Sequence, residues 1–321
     1  MAVDLRQDID CSVVVPSYGR PVLLRECLGD LLAQRGMTSF EIIVVVRVTD
    51  RDTLRVVDGI AKSTNVPINM ATVDRAGYVN AMRHGWEQAR GRYVAFCDDD
   101  ARYASDWLSH LISLFAHADV GAAGGVILQT GYKRKRAAKH KFVSVAWYGR
   151  TSYHAFDEPD FVEPINVDWL PGANMAIRRD VLTPADFLVE LDSKGSSPGT
   201  ELSLCWRVRA QGFRVVLDPK LVVSHMGAPW VGAERGLTAE RTYAYSRNTM
   251  LVMLSNMGLV RRVVFAAYFW VIGQIESPGL LVGAIVLFRE RSKGPARLAS
   301  SFRGKFDGAI LSFRLRRHAQ G

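Results

Sequence analysis

Two short runs of β-branched residues near the start of the chain limit its fold more than any other feature. Ser12–Pro16 (Ser-Val-Val-Val-Pro) and Phe40–Val46 (Phe-Glu-Ile-Ile-Val-Val-Val) are almost continuously apolar. A strand buried on both faces of a parallel sheet reads this way, because helices cover both of its sides. Between the two runs, Leu24, Cys27, Leu28, Leu31 and Leu32 share one helical stripe. Strand, helix and strand in this order make a βαβ unit. The pattern continues with a third strand near Ile68–Val73, a helix over Val79–Ala89 and a strand at Tyr93–Phe96. The expected class is α/β: an open, mostly parallel central sheet flanked by helices, with a C-terminal helical extension. In such sheets ligands bind beyond the carboxyl ends of the strands. Three polar segments fall there: Pro16–Arg20, Arg47–Asp52 and Asp98–Asp100.

The second half is less regular. A helix is expected over Asp106–His117 and a Gly-rich strand over Val120–Leu128. Gly131–Lys141 holds six Lys+Arg and reads as a basic loop. Asp168–Arg178 reads as a turn feeding a strand, and Glu201–Ala210 as a helix. Arg214–Leu217 and Leu221–Val223 read as two short strands, with His225 just after the second. A long helix is expected over Thr238–Asn256. There is no internal repeat.

The triple aspartate at 98–100 is the sharpest chemical feature. Three adjacent carboxylates repel one another and need compensation. A divalent cation supplies it, and Mg²⁺ or Mn²⁺ prefers oxygen ligands. Residues i and i+2 of such a turn reach one ion, which makes Asp98 and Asp100 the candidate ligands. His225, after an apolar run, is the candidate third ligand. Glu201 opens a helix, where a carboxylate either caps the N-terminus or acts as a general base.

Taken in order, several segments resemble the family-2 glycosyltransferases with the GT-A fold, over about residues 11–250. They are Val-Val-Val-Pro-Ser-Tyr-Gly-Arg at 13–20, Glu-Ile-Ile-Val-Val-Val at 41–46 and Gly91-Arg-Tyr-Val-Ala-Phe-Cys-Asp-Asp-Asp100. Pro171-Gly-Ala-Asn-Met-Ala-Ile-Arg-Arg179, Glu201-Leu-Ser-Leu-Cys-Trp-Arg207, Val223-Ser-His225 and Tyr245-Ser-Arg-Asn248 follow. The resemblance implies transfer of a sugar from a nucleotide-sugar donor to a hydroxyl of a glycan, glycolipid or lipid-linked acceptor, with inversion. It implies Mn²⁺ or Mg²⁺ held by Asp98, Asp100 and His225, and Asp98 and Asp99 at the ribose and diphosphate. It makes Glu201 the base and puts Pro16, Ser17, Tyr18 and Arg20 around the nucleotide. Arg75, Arg83 and Arg247 would add charge at the diphosphate. Trp169, Gly172 and Asn174 would meet the sugar or acceptor. Residues 1–258 would be the transferase domain, with 1–100 as its nucleotide-binding half and 101–258 as its acceptor half.

Three departures from the family pattern stand out. The second strand runs into Arg47-Val-Thr-Asp50 where the family has Asp-Asp-Gly-Ser, so either the base is not uracil or Arg47 meets phosphate and Asp50 the base. Ser203 replaces a second acid in the helix motif, and Arg83 stands where Asn is common. Two rival functions carry less of the pattern. Sugar nucleotidyl transfer needs a long Gly-rich basic loop, and Pro16–Arg20 is too short. A decayed, membrane-associated binding or assembly protein would suit the altered Arg47 and Ser203.

Composition locates the charge. The 321 residues carry a formal net charge of +9. Residues 259–321 hold eleven Lys+Arg against three acids, so +8 of it lies in the tail. A nearly neutral body does not suit a nucleic-acid partner. Val263–Gly273 and Leu280–Phe288 are apolar pieces too short to span a bilayer, flanked by arginines. The expectation is a basic amphipathic helical tail lying at an anionic membrane surface. Packing on the body or on a second copy of the chain is the competing arrangement. Four cysteines without metal or redox spacing and a polar N-terminus lead to a cytoplasmic, peripheral location.

Overall fold

The computed structural model describes residues 9–37, 39–137, 142–191, 197–227 and 237–318. The expected basic loop at 131–141 lies partly outside them. The chain divides into two compact units. The first is Met1–Val143, Tyr153–Val189 and Leu204–Ala228. The second is Ser144–Ser152, Glu190–Ser203 and Pro229–Gly321.

In the first unit the expected alternation is present: β1 (Cys11–Ser17), α1 (Pro21–Leu32), β2 (Phe40–Arg47), α2 (Arg51–Ala61), β3 (Ile68–Val73), α3 (Tyr78–Gln88) and β4 (Tyr93–Phe96). Two residues pair as β5 (Ala101–Arg102), and α4 (Trp107–Ser113) follows. Then come β6 (Val120–Gln129), the short strands β7 (Arg136–Ala137), β8 (Val143–Val145), β9 (Thr151–Tyr153), β10 (Glu158–Pro159) and β11 (Ile165–Asn166), and β12 (Met175–Arg178). Helix α5 (Thr200–Ala210) and β13 (Arg214–His225) complete the series. The nine-stranded sheet runs β11-β13-β6-β12-β4-β1-β2-β3, with β5 on β13. β1, β2, β3 and β4 are parallel neighbours, as are β6 and β13. Only β12, β11 and β5 run against their partners.

The apolar runs of β1 and β2 are buried throughout their centres, with Val13, Val15, Ile42, Val44 and Val46 in one core with Leu24 and Leu28 of α1. Helix α3 comes so close to β1 that a Cβ on Gly85 would sit 2.3 Å from Val14. Glu41 breaks the apolar run of β2 but is buried in a polar knot. It accepts from Ser12 (2.7 Å) and Asn69 (2.8 Å) and pairs with Arg90 (2.6 Å). All four cysteines are buried and free.

One expected pair of strands is a single strand. β13 continues through a register shift between Asp218 and Val222. Asp218 makes the irregularity possible by accepting from the Lys220 backbone N–H (2.8 Å) and bonding His110 (2.9 Å). The helix expected over 106–117 is shorter, ending in a 3₁₀ turn at Leu114–Ala116.

The second unit holds α6 (Ala239–Asn256), α7 (Leu259–Val271), α8 (Leu280–Arg289) and α9 (Gly294–His318). Contacts divide elsewhere than at residue 258, because α6 packs along α9. A Cβ at Gly304 or Gly308 would lie 2.5 Å or 2.2 Å from the α6 carbonyls of Tyr243 or Arg247. Helix α9 is built inside out. Arg297, Ser301, Lys305 and Ser312 are buried, whereas Phe306 is 60% and Phe313 56% exposed.

Candidate active site

The three acidic residues sit where β4 ends, and β13 brings His225 to them. Backbone pairing sets His225 opposite Ala101, and the Met226 N–H donates to the Asp100 carbonyl (2.9 Å). The His225 Nε2 then lies 3.2 Å from Asp98 Oδ2 and 3.3 Å from Asp100 Oδ1. One ligand atom from each of Asp98, Asp100 and His225 falls within 4.8 Å of the other two. His225 Nδ1 faces Gln129 Oε1 at 3.0 Å. The Gly227 N–H also donates to Nδ1 (3.1 Å), and Nε2 is the ring nitrogen that faces the two carboxylates. Burial lowers the His225 pKa, but the hydrogen bond and charge of Asp98 and the charge of Asp100 outweigh it, so the net shift is upward. Two carboxylate oxygens and one imidazole nitrogen therefore converge on one point, a donor set that fits Mn²⁺ well and Mg²⁺ less well.

Asp99 has a different place from its neighbours. It is fully buried and accepts from the Ser17 hydroxyl (2.6 Å). Arg20 lies 2.5 Å from Asp99 and 3.2 Å from Asp100. Burial pushes the Asp99 carboxyl up to about 7, against the pull of Arg20 and Ser17. Asp99 has no exposed surface, and its carboxylate braces the turn from within. Ser17, buried and bonded to Asp99, likewise braces the turn and does not cradle a base with its hydroxyl. Arg20 neutralises the turn from its inner side.

The ends of β1 and β2 form a second group. Asp50 accepts from the Gly19 N–H (2.6 Å) and from the Thr53 N–H (3.2 Å), which caps α2 and ties the two loops together. Gly19 has a φ of 68°, suited to this turn. The Arg47 guanidinium lies 5.4 Å from the centre of the exposed Tyr18 ring, and its buried Nε has no hydrogen-bond partner among the described residues. Pro16 is half-buried in β1. Arg75 is exposed just after β3. Arg83 is engaged along α3 with Glu87 (2.9 Å).

The expected sugar-contact residues separate. Gly172 opens a 3₁₀ turn over Gly172–Asn174. Asn174 is fully buried. Its amide donates to the carbonyls of Val126 and Leu221 (both 3.0 Å), and its oxygen accepts from Trp107 (2.9 Å). Asn174 thereby braces the Gly-rich β6, where a Cβ on Gly125 would crowd the Asn174 amide at 2.8 Å. Trp169 is half-buried and stacks on Tyr153 at 4.7 Å. Its indole Nε1 is buried with no hydrogen-bond partner among the described residues.

Glu201 and Arg247 belong to the second unit. Glu201 sits in the first turn of α5, where the helix dipole favours a carboxylate. Ser203 is buried, a place where a second acid would be costly. Arg247 donates to Asn248 (2.9 Å). Asn248, fully buried, donates to the carbonyls of Leu191 (2.6 Å) and Pro198 (3.1 Å), and so fixes the approach to α5.

Sequence reasoning passed over Tyr103. Its hydroxyl accepts from the Asp98 N–H (3.1 Å) and donates to the Ala173 carbonyl (3.1 Å), linking the acidic turn to the turn before β12. Only its nearness to Asp100 in sequence hints at this.

The sheet, with its acid-and-imidazole cluster at the carboxyl ends of the strands, defines an α/β protein of the GT-A type. The family described as glycosyl transferase family 2 matches residues 12–183, more than half of the chain, and the chain belongs to it. It is 27% identical over 229 residues to the O-antigen biosynthesis protein RfbC of Myxococcus xanthus, with 67% of this chain and 17% of that protein covered. It is 26% identical over 221 residues to the glucosyl-dolichyl phosphate glucuronosyltransferase of Haloferax volcanii, covering 67% of this chain and 68% of that one. The matched region spans under a quarter of the first two relatives, 17% and 24%. Among solved structures, the mannosyltransferase PcManGT from Pyrobaculum calidifontis, in complex with GDP-Man and Mn²⁺, aligns at a TM-score of 0.55 and 16% identity, covering 96% of this chain and 88% of that one. S. aureus TarS 1-349 aligns at 0.54 and 14%, covering 97% and 92%. At these identities the structures speak for the fold.

Proposed function

We propose that the protein is an inverting, divalent-metal-dependent glycosyltransferase that moves a sugar from a nucleotide-sugar donor to a hydroxyl of a glycan or lipid-linked acceptor. The convergence of Asp98, Asp100 and His225 carries this reading. Those three residues would hold Mn²⁺ or Mg²⁺, which when bound neutralises charge on the departing diphosphate. The Tyr18 ring, backed by Arg47, offers a face to the nucleotide base, and Asp50 holds the loop that presents it. Glu201 takes the proton of the acceptor hydroxyl. The acceptor oxygen bonds to the anomeric carbon as the bond from that carbon to the phosphate oxygen breaks. The nucleoside diphosphate leaves with the electron pair. Arg75 and Arg247 remain candidate partners of the diphosphate. A relative that is a glucosyl-dolichyl phosphate glucuronosyltransferase supports a lipid-linked acceptor.

The same reading puts residues 259–321 at an anionic membrane surface. Leu259 is 75% and Phe288 79% exposed, the exposed Arg289 ends α8 and the exposed Arg291 follows it. No helix among the described residues is long and apolar enough to cross a membrane, which suits a surface-lying tail. Phe288→Glu should weaken pelleting with phosphatidylglycerol vesicles, and unchanged pelleting rejects this part.

For the chemistry, Glu201→Gln should lower transfer by about 10²–10⁴-fold, the usual worth of a general base, with nucleotide binding intact. Full activity in this variant removes Glu201 from the role.

A further inference from the structure

The turn between α7 and α8 is held by polar side chains that are expensive to bury. Arg297, Ser301 and Lys305 of α9 are spaced by four residues, share one helix face and are all buried. Arg297 donates to the Ile275 carbonyl (2.7 Å). Ser301 donates to the Pro278 carbonyl (2.8 Å). Lys305 donates to the carbonyls of Phe269 (2.6 Å) and Pro278 (2.8 Å), and its Nζ lies 4.5 Å from the Phe269 ring centre. Lys305 has no carboxylate ion pair among the described residues. Gly273, with a φ of 72°, allows the chain to turn so tightly that a Cβ there would meet the Gly279 nitrogen at 2.2 Å. A fold that merely needed to join two helices would not require a buried ammonium for it.

What the turn presents is one wall of a cleft of about 700 Å³ within the second unit. The opposite wall is the segment that carries Tyr148, Arg150 and Thr151. The two walls are joined: Thr151 donates to Gln274 (3.1 Å), and the Tyr148 and Tyr268 rings meet edge to face at 4.9 Å. The Tyr268 hydroxyl reaches the Gly273 carbonyl (3.2 Å). The volume lies within the range of small-ligand sites, about 300–1,000 Å³. Its lining mixes two tyrosine rings and the aliphatic Ile272, Ile275 and Val282 with Arg150, Gln274 and Glu276. Flat aromatic faces pack on the C–H face of a sugar ring. The guanidinium, amide and carboxylate offer paired donors and acceptors that match neighbouring hydroxyls. Those polar groups set the cleft apart from a purely hydrocarbon groove, and Glu276 repels a diphosphate.

Tyr245 on α6 is pushed above its usual range by burial first, then, against Arg241, by the charges of Glu276 and Glu201. Both carboxylates therefore lie within electrostatic reach of a single ring, all inside the second unit.

We infer that this cleft binds the saccharide acceptor, with Tyr148, Arg150, Gln274 and Glu276 as its contact residues. Its role as the acceptor site rests on the glycosyltransferase reading, whereas saccharide binding itself does not. The test is saturation-transfer NMR on the full chain with octyl β-glucoside, octyl β-galactoside and octyl α-mannoside below their micellar concentrations. Saturation should reach the ring protons of at least one glycoside. It should fall several-fold in both Tyr148→Ala and Arg150→Ala, two exposed positions where truncation leaves the core untouched. Ring saturation that is absent, unchanged in both variants or confined to the alkyl protons overturns the inference. Thermal shifts of the same samples with UDP or GDP and Mn²⁺ form the second arm. No shift there rejects the glycosyltransferase reading and leaves saccharide binding to stand or fall on the NMR.

Discussion

The two units compensate buried charge alike at Arg297, which pairs with Glu290, but differently at Lys305. In the first, apolar strands fill the core, and charged groups gather at the strand ends as matched partners, Asp99 with Arg20 and Asp98 and Asp100 with His225. In the second, α9 turns a polar stripe inward and phenylalanines outward. The inward Lys305 finds carbonyls and aromatic rings in place of an acid. Charge compensated by opposite charge suits the cation site proposed at Asp98, Asp100 and His225. Charge compensated by backbone carbonyls fixes the shape of a turn. The lesson is that a buried ionisable group is informative through its partners more than through its burial.

Removing one partner should separate the two cases. Arg20→Ala leaves Asp99 buried without its cation and should cost about 3–5 kcal/mol of stability, read by urea unfolding. A loss close to zero would mean the pair does not hold the turn together. Lys305→Met, which keeps shape and removes charge, should be neutral or stabilising by up to about 1–4 kcal/mol near neutral pH. Its pH dependence gives the sign. Burial pulls the Lys305 amine from 10.5 down to about 7. Between those values the unfolded chain binds more protons than the folded one, so the wild type gains stability as pH rises from about 7 toward 10.5. Below about 7 both forms are protonated and the dependence ends. The difference in Tm between wild type and Lys305→Met should therefore shrink across that window. A constant difference would mean that the folded protein keeps Lys305 charged throughout. The same variant should loosen the turn and weaken glycoside saturation in the cleft, the smallest of these effects.

How far the sequence could be read follows the same division. β1 to β4 were legible because strands under two helical layers must be apolar along their length, and α1 shows a clean stripe. The acidic turn and His225 were legible as residue types, but their meeting depends on β13 pairing with β5, which no local pattern carries. The bulge at Asp218 hid the continuity of β13, since a break in the apolar run looks like a strand end. Asn174 was expected at the sugar from the family resemblance, which carries no sign of its burial. Only the glycines of β6 show that space was cleared for it. Helix α9 escaped a periodicity reading because its buried face is polar and small. For that reason a net charge of +8 overstates what the tail shows to solvent, since Arg297 and Lys305 are inside.

The central claim is that Asp98, Asp100 and His225 form one cation site. Mn²⁺ titration followed by electron paramagnetic resonance, with UDP or GDP present, tests it most directly. Wild type should bind Mn²⁺, and His225→Ala and Asp100→Asn should each weaken binding by at least about 10–100-fold, the scale seen even for second-shell changes at metal sites. Unchanged Mn²⁺ affinity in both variants would contradict the account.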